Sequence, residues 1–209
     1  MKNFKSSTFI AIVLIMAVFV GVAYYMNSGQ KAKTLPVYGF DQEKMKPHTV
    51  ADFSLVNQDG VVITQKEIAN HIYVANFFFA QCKGICPSMN HQLSRVYAQY
   101  KNSPDVLFLS HSVKPQEDSV PALHEYAKLY EADPKHWWFL TGDKKKIYDL
   151  ARTSYLASIS QGDGGAEDFV HTQLLTLIDK NRQIRGIYDG LDSTQVNQLI
   201  TDINILLQE

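Results

Sequence analysis

The chain contains very little cysteine: Cys82 and Cys86 are the only two thiols in 209 residues. That excludes a small scaffold held together by a disulfide framework. Charge of one sign is lacking as well, with 20 basic against 21 acidic residues scattered along the chain. No electrostatic surface is set out for a phosphate backbone, so nucleic acid is not the partner this composition points to. There are no internal repeats or low-complexity tracts from His48 onward, and no second tether that would split that region.

Charge is absent altogether between Lys5 and Lys31, and Phe9 to Met26 fills that gap with 18 apolar or small residues. This is close to the roughly 20 residues that cross a hydrocarbon core of ~30 Å. Lys2 and Lys5 precede the run, which places the N-terminus in the cytoplasm, and Tyr24 and Tyr25 suit the far interface. A cleaved signal peptide is the rival, since Gly21-Val22-Ala23 loosely resembles a small-x-small cleavage site. An apolar run this long favours the anchor, because a cleaved core usually spans about 7 to 15 residues. No cysteine beside the run could accept a lipid, and no Arg/Ser-rich transit segment precedes it. The expected organisation is an anchor over 1–26, a polar tether over 27–47 and one domain over 48–209. The expected location is a bacterial inner membrane, crossed once, with the domain facing the periplasm.

Within the domain, "DFSLVNQDGVVIT" alternates on both sides of Asp59-Gly60 and predicts an opening β-hairpin. Thr64 and Glu67 form a candidate capping box, and "HIYVANFFF" is a nearly continuous apolar strand of the kind buried on both faces. "SMNHQLSRVYAQYK" has helical spacing and "DVLFLSHSV" is another buried strand, which makes a β-α-β unit. "VPALHEYAKLY" predicts a helix, "HWWFLTG" a strand and "KKKIYDLARTSY" a helix. "QLLTLID" and "IRGIYD" then pair around Asn181, and "STQVNQLITDINILL" closes the chain as a helix. The fold class is α/β, a thioredoxin-like mixed sheet of the peroxiredoxin and glutathione-peroxidase kind, with an N-terminal β-hairpin and one transmembrane helix before it.

The buried strand delivers Cys82 at its C-terminal end, and Pro87 predicts that a helix begins close to Cys86. Free amides and the positive end of the helix dipole stabilise a thiolate, so both sulfurs become reactive in one corner. Gly84 gives the turn freedom to bring them within disulfide range, and two soft thiolates equally suit Cu(I), with zinc the main competitor. Redox chemistry, metal binding or both remain open, as does a structural disulfide, although a loop this short constrains the unfolded chain little. Seven histidines are available as a third ligand. His48, His71, His91, His124 and His136 read as surface, strand-end or helical residues. His171 stands at the mouth of a strand after "SQGDGGAEDF", a loop that a thioredoxin-like sheet returns over the cysteine turn. Asp163, Glu167 and Asp168 lack EF-hand spacing and read as solvating that loop.

From about Leu35 to the C-terminus these residues resemble the Sco/SenC family, the membrane-tethered copper chaperones associated with assembly of the CuA site of cytochrome c oxidase. The resemblance rests on "LPVYG", "VANFFFAQCKGICPSM", "LSHSVKPQED", "WWFLTG" and "DFVHTQLLTLID", in that order. It implies copper held by Cys82, Cys86 and His171, and delivery to the apo cytochrome c oxidase subunit carrying CuA. Two departures stand out. Lys83-Gly84 replaces the usual Pro-Thr, and Lys114 replaces the aspartate of a Ser-Val-Asp-Pro stretch. A lysine near the thiols would favour thiolate and oppose a cation, the reverse of an acid. The competing function is a thiol-disulfide oxidoreductase in which Cys82 and Cys86 reduce a partner's cysteines, themselves regenerated by a thiol-disulfide reductant. Such enzymes more often carry C-x-x-C and do not need His171.

Overall fold

The computed structural model describes residues 12–22, 34–43, 45–158, 162–165 and 167–209. They belong to two compact units, Met1–Thr34 and Leu35–Glu209. In the first unit residues 12–22 form a helix (α1) whose large apolar side chains, among them Leu14, Phe19 and Val20, are exposed. Among the described residues no helix is long and apolar enough to cross a membrane. The spanning helix expected over 1–26 is therefore not shown, since 1–11 and 23–26 lie outside the described residues, as do 27–33 of the expected tether.

The second unit is built on a five-stranded sheet. Its strands are β5 (Ile72–Phe78), β6 (Val106–Ser112), β7 (Trp137–Leu140), β8 (Leu174–Ile178) and β9 (Ile184–Asp189), in the order β7-β6-β5-β8-β9. β5, β6 and β7 run parallel, while β8 is antiparallel to both β5 and β9, so the sheet is mixed as expected. The parallel connections are helices, as parallel pairing demands: α3 (Ile85–Tyr100) between β5 and β6, and α4 (Val120–Lys128) between β6 and β7. All seven residues of β5 are buried because the two faces meet different cores. Ile72, Val74 and Phe78 join α3, α4 and α6 (Ser193–Leu206), whereas Tyr73, Ala75 and Phe77 pack under the hairpin and α5 (Lys144–Asp149). Strand alternation alone produces this division.

The opening hairpin pairs β3 (Ser54–Val56) with β4 (Val62–Thr64). Asn57 Oδ1 accepts from the amides of Asp59 and Val61 at 3.0 and 2.9 Å, and Gly60 takes φ +76° at the tip. Thr64 and Glu67 close the predicted capping box on α2 (Gln65–Ile68). Two features differ from the sequence reading. The helix begun by α5 widens into a π-helical turn, Leu150–Ser154, and then stops at Leu156 with φ +51°. The packed unit also begins at Leu35, within the stretch read as tether. Leu35 is buried, its amide donates to Glu209 Oε1, and the Arg185 guanidinium donates to the carbonyls of Leu35 and Pro36. A short ribbon follows, β1 (Phe40–Asp41) paired with β2 (Lys46–Pro47).

Candidate metal centre

β5 ends at Phe78, and residues 79–84 turn sharply into α3, which begins at Ile85 with Gly84 as its cap. Pro87 therefore occupies the first helical turn, where an amide would have no intrahelical partner. Cys82 lies in the turn and Cys86 in the first turn of the helix, both as free thiols. The turn is held from below by Asp118, which is almost fully buried. Both of its oxygens accept from the Ala80 amide at 3.2 Å, and it also takes the Ser112 hydroxyl, while the Phe79 carbonyl accepts from the Cys82 amide at 3.2 Å.

The two thiols are adjacent and chemically unlike. Burial opposes ionisation of Cys82, but donation from the Cys86 thiol and the amides of Cys86, Gly84 and Ile85 outweighs it and holds Cys82 below the ordinary thiol range. This is the arrangement expected where free amides at a helix start face an anion. Cys86 is pushed up, first by burial and then because losing its proton forfeits its hydrogen bond to Cys82. One sulfur is thus poised as the thiolate and its neighbour as the proton carrier.

His171 is exposed, on the segment that leads into β8. Its ring sits edge-on to Phe169 at 4.4 Å between centroids, and Phe169 in turn meets Phe79 at 5.8 Å. A cleft of about 560 Å³ is lined by His171, Leu156 and Ile85, the last of which immediately precedes Cys86. The structure thus brings Cys82 and Cys86 together and sets His171 beside the same helix start. It does not gather all three: among the described residues, no group of three or more His, Cys, Asp or Glu side chains stands ready to hold a metal ion.

Neighbouring residues correct or complete the sequence reading. Asp168 does not solvate its loop; it is clasped by Arg152 through two hydrogen bonds of 2.7 and 2.6 Å and accepts from the Gly164 amide at 2.7 Å. The Arg152 guanidinium lowers its carboxyl to about 2. Lys114 pairs with Glu117 at 3.0 Å and lies over the ring of Phe79, the residue whose carbonyl accepts from the Cys82 amide. His48, His71 and His124 make ordinary contacts with Ser154, Ala69 and Asp59. His111 escaped notice in the sequence. It is fully buried on the sheet face opposite the thiols, stacked on Phe77 and pushed down to about 4 by burial. Alternation along β6 was the available signal, since it places His111 with Leu107 and Leu109. Asp118 was equally unread, because nothing local distinguishes it from Glu117.

With this geometry in view, a family model described as SCO1/SenC matches residues 41–208. The SCO1 protein homolog of Bacillus subtilis is 27% identical over 158 residues, which covers 75% of this chain and 81% of that protein. Among solved structures, BsSco, described through a disulfide switch and as a member of the Sco family of cytochrome c oxidase assembly proteins, superposes with a TM-score of 0.66. It is 26% identical, and the match covers 85% of this chain and 98% of that one. Arabidopsis thaliana ScoI with copper bound gives a TM-score of 0.57 at 26% identity, over 75% and 98% of the two chains.

Proposed function

The chain belongs to the SCO1/SenC family, and from that premise we propose that it is a membrane-tethered copper chaperone that delivers copper to the CuA site of cytochrome c oxidase. Cys82, Cys86 and His171 are the proposed ligands. The observation that carries this reading is the pair of adjacent thiols at the start of α3, with an exposed imidazole on the rim of the cleft beside them. The donor set fits a soft cation: two sulfurs stand together, one already inclined to thiolate, and the cation displaces the proton from the other. His171 completes the set when its segment closes on the turn. Copper is cargo here, and an open cleft suits ligand exchange with a recipient. The apolar run ending at Met26, whose residues 12–22 form a helix with exposed apolar side chains, supports attachment to the inner membrane from the periplasmic side.

A second reading is favoured by the unlike thiols. Cys82 thiolate attacks one sulfur of a partner disulfide, forming a mixed disulfide and releasing the partner's other thiolate. Cys86 then attacks Cys82 Sγ, its proton passing to the released thiolate. A Cys82–Cys86 disulfide forms and the partner leaves with one thiol and one thiolate, the latter taking its proton from solvent, two electrons having moved to it. A thiol-disulfide reductant must restore the pair.

His171→Ala separates the two readings. Because His171 is exposed, the variant should melt like the parent when metal-free, bind copper more weakly in competition with a chromophoric chelator, and retain thiol-disulfide exchange. Cys82→Ser or Cys86→Ser should abolish both activities. An unaltered copper affinity in folded His171→Ala would sink the three-ligand site and leave the reductase as the better account.

A further inference from the structure

The compact unit exposes few large apolar side chains, and they are unevenly placed. Val37, Tyr38, Phe40 and Met45 all stand out within its first eleven residues, with Phe40 56% and Met45 76% accessible. The backbone that carries them is fixed on both sides. The Tyr38 amide donates to the Ile184 carbonyl at 2.8 Å, the His48 amide to Gly39 at 3.2 Å and the Val50 amide to Arg182 at 2.9 Å. A held ribbon that turns an aromatic and a thioether outward has no packing reason to do so. The patch continues to Leu156, whose Cδ1 would lie 3.5 Å from a Cβ at Gly39 and which also lines the cleft containing His171.

We propose that this ribbon is a lipid-contacting surface: Tyr38, Phe40 and Met45 seat among the headgroups of the bilayer to which the chain is tethered, holding the His171 cleft beside the membrane plane. The inference rests on the membrane-tethered reading above. Three observations favour a bilayer as the occupant. Residues 23–34 can span at most about 40 Å even fully extended, and the ribbon begins directly after Leu35, where the packed unit starts. Residues 31–47 carry four lysines against two acids, two before Tyr38 and two after Phe40, which is the aromatic and cationic mixture that suits an anionic lipid interface. The patch is also too small for a second copy, because a stable protein interface takes roughly 20 to 30 residues a side, whereas a few side chains suffice for shallow lipid contact.

The test uses the full chain reconstituted into phosphatidylcholine–phosphatidylglycerol vesicles, prepared with or without acyl-brominated lipid. Phe40→Trp places a fluorescent reporter on the ribbon, and Leu129→Trp places one on an exposed site after α4. The native Trp137 and Trp138 are buried and give the same background in both variants. Emission of the Phe40→Trp variant should fall in brominated vesicles while that of the Leu129→Trp variant is unchanged, and Met45→Trp should behave as Phe40→Trp does. Vesicle flotation reads the tether independently: a chain that does not float removes the tether, and this proposal falls with it. A floating Phe40→Trp chain whose emission brominated lipid does not quench overturns the ribbon contact alone. If the reporter in that chain is also shielded from iodide, a protein surface covers it, which equally refutes lipid contact. Copper binding by the same variants in detergent should match the parent, so failure of the chaperone reading is read separately.

Discussion

Arg152→Ala tests how the segment carrying His171 is secured. Arg152 and Asp168 are only 11% and 7% exposed, and two charge-assisted hydrogen bonds join them across a separation of 16 residues. Asp168 lies three residues before His171, so this clasp is one fixed point of the segment, together with the buried Val170 that immediately precedes the imidazole. Truncating Arg152 leaves the Asp168 charge with the Gly164 amide, the Lys144 charge and whatever water can reach it. Breaking a buried pair this way costs about 3 to 5 kcal/mol, and a pair at the edge of solvent belongs at the lower end. At about 2 to 4 °C per kcal/mol for a domain of this size, a loss of about 3 kcal/mol lowers Tm by roughly 6 to 12 °C. Calorimetry of the reduced, metal-free protein provides the measurement, with Asp168→Asn and the double variant completing a coupling cycle. The pH dependence has a definite sign. Arg152 lowers the Asp168 pKa, so the clasp contributes fully above the unfolded carboxyl value near 3.9 and is lost as pH falls towards about 2. Arg152→Ala should flatten that acid limb. A variant that melts within about 2 °C of the parent at neutral pH would refute the clasp as a structural restraint.

Two further outcomes follow from the thiol turn. A short pulse of iodoacetamide at pH 7 on the reduced, metal-free protein should label Cys82 well before Cys86, because burial and the bond to Cys82 keep Cys86 protonated; equal labelling by peptide mass spectrometry would remove the assigned roles of attacking and resolving sulfur. Asp118→Ala strands the Ala80 amide and the Ser112 hydroxyl, so it should cost about 1 to 3 kcal/mol in chemical denaturation, and an unchanged midpoint would show that the turn does not depend on that carboxylate.

Local pattern made much of this fold legible. The alternation around Asp59-Gly60, the Thr64–Glu67 box and the apolar block before Cys82 each state a conformation within a few residues, and each stands as read. The cysteine turn was legible for the same reason, since Pro87 lies one residue after the second thiol. What the sequence hid depends on partners far away in the chain. Leu35 packs because Arg185 and Glu209, 150 and 174 residues on, receive its backbone. Asp168 is clasped because the π-helical turn presents Arg152 to it, and that turn has no sequence signature we can identify. His111 differs from a surface histidine only through the buried strand that carries it.

The separation of His171 from the thiols bears directly on the chaperone reading. Cys82 and Cys86 sit on the start of a helix whose turn is held by Asp118, so little ordering is needed for both sulfurs to meet one ion. The imidazole meets Phe169 on the rim of an open cleft, and on that reading it must be brought in. A ligand that is competent for only a fraction of the time weakens the apparent affinity in proportion to that fraction. Under the proposed function, the two sulfurs would set whether copper is captured, and the position of the His171 segment would set how readily it is released. On the same reading, a recipient that displaced the imidazole first would meet copper on two thiolates with one side open, which is the geometry a stepwise ligand exchange requires.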